Sequence, residues 1–111
     1  MSKHKPTGDC FEAAIRTMLE LLPELTPILV HGEATGRGKI EGTQHAHAWV
    51  EVGALVLDYS NGKDLTIPKE LYYGLGKVKN TVRYSPEEAR AMMVEKGTFG
   101  PWDDYLLKEV E

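Results

Sequence analysis

HAHAWVEVGALVLDYSNG, residues 45–62, reads as a β-hairpin, and the rest of the architecture follows from it. Residues on either side of Gly53-Ala54 alternate with the two-residue period of a strand that presents two different faces. Ala48, Val50, Val52, Leu55, Leu57 and Tyr59 share one parity and form a mostly apolar core face. His45, His47, Trp49, Glu51, Val56 and Asp58 share the other. A two-residue turn at 53–54 sets Trp49 directly opposite Asp58. His47 then becomes a diagonal neighbour of Asp58, within reach of a long side chain. Trp49 on this polar face needs a cover, such as the first helix packed over it.

Upstream, the spacing predicts a helix over residues 10–22, stopped by Pro23. Phe11, Ala14, Ile15, Met18, Leu19 and Leu22 recur at helical intervals as an apolar stripe. Asp9 and Glu12 make a capping-box pattern around its start. Residues 1–8 read as a loose arm, PILVHGEA as a short buried strand, and TGRGKIEGTQ as a glycine-rich loop. Downstream, IPKELYYGLG holds one helical turn, and a strand follows near Val78–Tyr84. SPEEARAMMVEKG is a helix with Ser85 as cap, Pro86 in the first turn, Glu88 completing a capping box and Gly97 as its stop. PWDDYLLKEV reads as a short C-terminal helix. Helix, strands and helix in this order predict an α+β domain on an antiparallel sheet, a single domain over 1–111.

Composition narrows the function. A formal charge of −4 without a Lys/Arg cluster disfavours nucleic acid, whose phosphates usually meet a basic stripe. No apolar run approaches the ~20 residues of a membrane span. The N-terminal MSKHKPTGDC lacks the apolar core of a signal peptide, and the single cysteine cannot form an internal disulfide. These features lead us to expect a cytoplasmic protein without membrane association. GEATGRGK is not a phosphate-binding P-loop, because Glu33 stands where the first glycine belongs and Ile40 where Ser or Thr belongs.

Three residues carry possible chemistry. An imidazole beside a carboxylate is held in one orientation and tautomer, and its protonated form is stabilised, which is what a general base needs. His47 and Asp58 satisfy that requirement, although such residues on a strand face are often simply solvated. Cys10 lies off the main stripe, as the first residue of its helix. There the free N–H groups and the helix dipole favour a thiolate and can stabilise an oxyanion. Against this stands the ordinary role of a lone cysteine as a small core hydrophobe. Gly8 allows a substrate backbone to approach closely.

GDCFEAA, then HAWVEV, then the aspartate of VLDYS resemble the transglutaminase-like branch of the papain-like cysteine enzymes. That family has a Gly-x-Cys at a helix start, a His-Ala-Trp-x-Glu-Val strand and an Asp on the next strand. The resemblance covers residues 8 to about 60. It implies a papain-like or transglutaminase-like core, an N-terminal catalytic helix against an antiparallel sheet. By it, Cys10 is the nucleophile, His47 the base and Asp58 its orienting partner, with no cofactor. The papain-like oxyanion glutamine has no counterpart, since His4 occupies that spacing. Gln44 and His45 are alternative oxyanion donors, and Gly8 and Trp49 are further substrate-binding candidates. The expected substrate is a peptide or protein, selected by the loop 35–44 or by a separate recognition protein.

Cleavage of a peptide bond through a thioester is the first expectation, and glutamine cross-linking or deamidation on the same triad the second. A different class is a metal site, in which His45 and His47 form a His-x-His pair completed by His31, Asp58 or Cys10. A third is a binding module that keeps the fold without the activity.

Overall fold

The computed structural model describes residues 10–35, 44–60 and 64–102, with the side chains of residues 44 and 45 left aside. Helix α1 (Cys10–Glu20) leads through a 3-10 turn at Pro23–Leu25 into strand β1 (Ile28–Thr35). Three strands follow in a meander: β2 (Gln44–Val52), β3 (Leu55–Asp58) and β4 (Leu65–Pro68). Helix α2 (Lys69–Gly76) then crosses to strand β5 (Lys79–Tyr84), which is followed by helix α3 (Pro86–Lys96). The sheet order is β4-β3-β2-β1-β5, and every neighbouring pair is antiparallel. The expected α+β class on an antiparallel sheet is therefore present. Among the described residues, no helix is long and apolar enough to cross a membrane.

The hairpin has the register read from its pattern. Val50 pairs with Leu57 and Val52 with Leu55 around the turn at Gly53-Ala54. Interior strand β1 is flanked by β2 and β5, and Leu29, Val30 and His31 in succession are wholly buried. Such a run reflects burial on both sheet faces.

Each face has its own core. On one, Phe11, Ala14, Ile15 and Met18 of α1 pack on Leu29, Ala48 and Val50, joined by Ala89 of α3. On the other, Trp49, Val30 and Val56 pack beneath Tyr72 of α2, with Ile67, Tyr73 and Val78 alongside. This corrects the expected cover of Trp49. Helix α1 lies on the even-numbered face of β2, and α2 covers the indole instead. The helical stripe is also narrower than expected. Leu19 is half-exposed, and Leu22 lies beyond the end of α1 and is largely exposed.

IPKELYYGLG is likewise more than one turn. Its first part belongs to β4, and Lys69–Gly76 forms an eight-residue helix closed by Lys77 in the left-handed region. Helix α3 carries its expected signals: Ser85 accepts from the Glu88 amide, Glu88 accepts from the Ser85 amide, and Gly97 ends the helix. The arm over 1–8, the cap at Asp9, most of the loop 35–44 and the C-terminal helix fall outside the described residues, although Trp102 is described and buried.

Candidate active site

Cys10 opens α1 and is buried in the same cluster as Ala46 of β2. Its helix start leaves first-turn N–H groups without intrahelical acceptors. The next strand residue, His47, is past the β2–β3 pairs, which run from Val50–Leu57 to Val52–Leu55. The Cys10 side chain comes close enough to His47 to act on its titration by hydrogen bonding and charge. His47 Nε2 lies 3.1 Å from Asp58 Oδ2. The three residues singled out in the sequence are thus brought into one buried chain of contacts. With Nε2 committed to Asp58, Nδ1 is the imidazole nitrogen left to serve the thiol.

Four donor groups of the described residues converge on Asp58. Oδ2 receives His47 Nε2 and the Tyr72 hydroxyl, the latter at 2.7 Å. Oδ1 receives the Ser60 amide at 3.1 Å and the Ser60 hydroxyl at 2.7 Å. A buried carboxylate needs such partners, because it has lost its water. The Ser60 contacts have a local cause, since an Asp commonly bonds the backbone two residues onward.

Burial opposes a charge on His47, but hydrogen bonds to Asp58 and Cys10, together with their negative charge, outweigh it and raise its pKa to about 9. The imidazole is protonated at neutral pH, and an imidazolium is the partner a thiolate requires. Burial drives the Tyr72 hydroxyl the other way, far above its ordinary pKa, and the nearby Asp58 adds to this. Tyr72 is therefore a neutral donor.

A second carboxylate, Glu51, lies on the same face of β2 and is almost fully buried. It accepts from Trp49 Nε1 at 3.0 Å, from the Tyr73 hydroxyl and from Arg83, and Lys69 Nζ stands 3.5 Å away. Burial raises its pKa, but the bonds from Tyr73, Trp49 and Arg83 prevail and hold it below the usual value. The Trp49 N–H is thus engaged by Glu51, and its ring is wholly buried.

Gln44 and His45 lie on β2, with side chains outside the described set, as is all of Gly8. His31 does not join His47. It pairs across the strands with Ala48, whereas His47 pairs with Gly32, so the two imidazoles point to opposite sheet faces. His31 is wholly buried among Phe11, Tyr84 and Trp102, with ring centroids at 4.9, 5.1 and 5.0 Å. Among the described residues, neither ring nitrogen has a hydrogen-bond partner, and burial lowers its pKa to about 3. Among the described residues, no group of three His, Cys, Asp or Glu is arranged to hold a metal ion.

Sequence reasoning did not reach Tyr72, Ser60 or the anchoring role of Glu51. The Asp58-Tyr59-Ser60 spacing carries a signal for Ser60. Tyr72 has none, because an intervening strand separates it from Asp58. Comparison with protein-family models, characterised proteins and solved structures returned no match.

Proposed function

We propose that this protein is a cysteine-dependent amide hydrolase, a peptidase of the transglutaminase-like, papain-like type. The observation that carries the reading is the single imidazole of His47, close to Cys10 and bonded to Asp58. The helix-borne cysteine, the His-Ala-Trp-Val-Glu-Val strand, the aspartate of the next strand and the antiparallel sheet support it together.

In this reading the Cys10 sulfur, its proton held by His47, attacks an amide carbonyl carbon. The carbonyl π pair moves onto oxygen, and the first-turn N–H groups of α1 offer donors to that oxyanion. The oxyanion collapses, the C–N bond breaks, and the leaving amine takes the His47 proton. A thioester remains on Cys10. Water attacks it while His47 accepts a proton, and release of the carboxylic acid returns the thiolate–imidazolium pair. Asp58 keeps the imidazole oriented through both proton transfers.

An epoxysuccinyl probe, which alkylates cysteine hydrolases when a neighbouring acid protonates the opening ring, tests this reading by intact mass. One adduct on Cys10 is expected in the native protein, lost on prior denaturation and in His47→Ala. Equal labelling of native and denatured chains, or full labelling in His47→Ala, overturns it.

A further inference from the structure

We propose that Tyr72 is a positioning residue that sets how firmly Asp58 holds the His47 proton, by sharing one carboxylate oxygen with the imidazole. The proposal rests on the triad reading above and adds a control to it. Asp58 Oδ1 is already occupied by the amide and hydroxyl of Ser60, so Oδ2 is the oxygen that serves His47. The Tyr72 hydroxyl takes the same Oδ2 at 2.7 Å, closer than the 3.1 Å of His47 Nε2. A donor on a carboxylate oxygen draws off part of its negative charge and weakens its grip on a second proton.

The hydroxyl is held in place by its ring, which packs against Trp49 at 5.2 Å between centroids. The next residue, Tyr73, donates to Glu51, so α2 is fastened to the sheet beside this contact. Among the described residues, Asp58 from β3 and Cys10 from α1 are ionisable groups that bear on His47, and Tyr72 from α2 acts through Asp58. Because Tyr72 stays neutral, it contributes a hydrogen bond without a charge. His47 is thereby left a better acid toward a leaving amine than an unshared carboxylate would make it.

The test is an imidazole titration of the full chain by nitrogen-detected NMR, alongside the pH dependence of epoxysuccinyl labelling. Tyr72→Phe keeps the ring and removes the hydroxyl. The His47 midpoint is expected to rise by roughly half a pH unit or more, and the alkaline limb of labelling to move with it. Replacing Tyr72 by 3-fluorotyrosine, a stronger donor of nearly the same shape, is expected to lower the midpoint. That variant decides the matter should Tyr72→Phe fail to fold. Tyr73→Phe is expected to leave the midpoint in place. An unmoved or lowered midpoint in folded Tyr72→Phe, an unmoved or raised one in the fluorinated protein, or an equal shift in Tyr73→Phe overturns the proposal. The titration needs no turnover. Midpoints that shift as expected while Cys10 never labels would therefore refute the hydrolase reading and leave the role of Tyr72 standing.

Discussion

Trp49 and Glu51 face the same side of β2 and are bonded to each other, indole Nε1 to carboxylate Oε2 at 3.0 Å, with both side chains buried. This bond ties the tryptophan beside the candidate triad to a carboxylate that also takes donors from α2 and β5.

Glu51→Ala is accordingly expected to destabilise the fold by about 2–4 kcal/mol, through the lost side chain and a buried indole N–H left without an acceptor. Arg83 is nearly half exposed and can return to water, so Arg83→Ala is expected to cost under about 1 kcal/mol. Urea unfolding of both variants checks the ranking, and equal losses would contradict it.

The two buried histidines act on stability from opposite sides of neutrality. His47 has a folded pKa near 9, above its ordinary 6.5, so its contribution is full below 6.5 and is lost as pH rises through 9. His31 has a folded pKa near 3, so its contribution is full above 6.5 and is lost as pH falls from 6.5 through 3. Stability should therefore peak near the ordinary histidine pKa. His31→Leu should flatten the acid side of the curve and leave the alkaline side unchanged. A denaturation series across pH 3–10 reads this, and an unchanged acid slope in His31→Leu would count against it.

The proton on His47 also sets the alkaline limit of reactivity. Opening of an epoxide at Cys10 draws on that proton, so labelling is expected to decline as pH rises through about 9. Labelling that only accelerates up to pH 10 would show that the imidazole is not the acid.

Asp58→Asn should retain the fold and reduce labelling on the order of 10²-fold or more, because the amide can orient the imidazole in the wrong tautomer. Circular dichroism with labelling kinetics separates the two effects. A collapsed fold with unchanged reactivity per folded molecule would make Asp58 purely structural.

Gly100 carries an expectation of a steric kind. A Cβ there would lie 2.6 Å from His31 Cε1, and its φ of +117° suits glycine alone. Gly100→Ala is expected to cost about 1–3 kcal/mol and to loosen Trp102 from His31, which tryptophan emission would report. A wild-type melting temperature would contradict this.

The legible parts of the chain were those governed by short-range rules. A two-residue turn dictates its register, so the pairing of Val50 with Leu57 and the approach of His47 to Asp58 could be read from residues 45–58. Ser85, Glu88 and Gly97 announce α3 through bonds that close within one turn. What stayed hidden depends on distant segments. His47, Glu51 and Asp58 look like a solvated face because their types are polar. Glu51 and Asp58 are buried with partners because Tyr72, Tyr73 and Arg83 arrive from α2 and β5 to bond them. No periodicity within β2 foretells those partners. The length of helix α2 is hidden for a related reason, since its stop is a left-handed lysine rather than a glycine.

The crossover of α2 also imposes a timetable on synthesis. Cys10, His47 and Asp58 have all been made by the time the ribosome reaches Pro68, but neither tyrosine nor Arg83 exists yet. At that stage Trp49 has no cover and the Asp58 carboxylate has no phenol to share. A nascent chain therefore carries its thiol, imidazole and carboxylate before it has the parts that align them. Ribosome-stalled chains ending near residue 70 should take up the epoxysuccinyl probe no faster than denatured protein, and only those with β5 clear of the exit tunnel should react at the native rate.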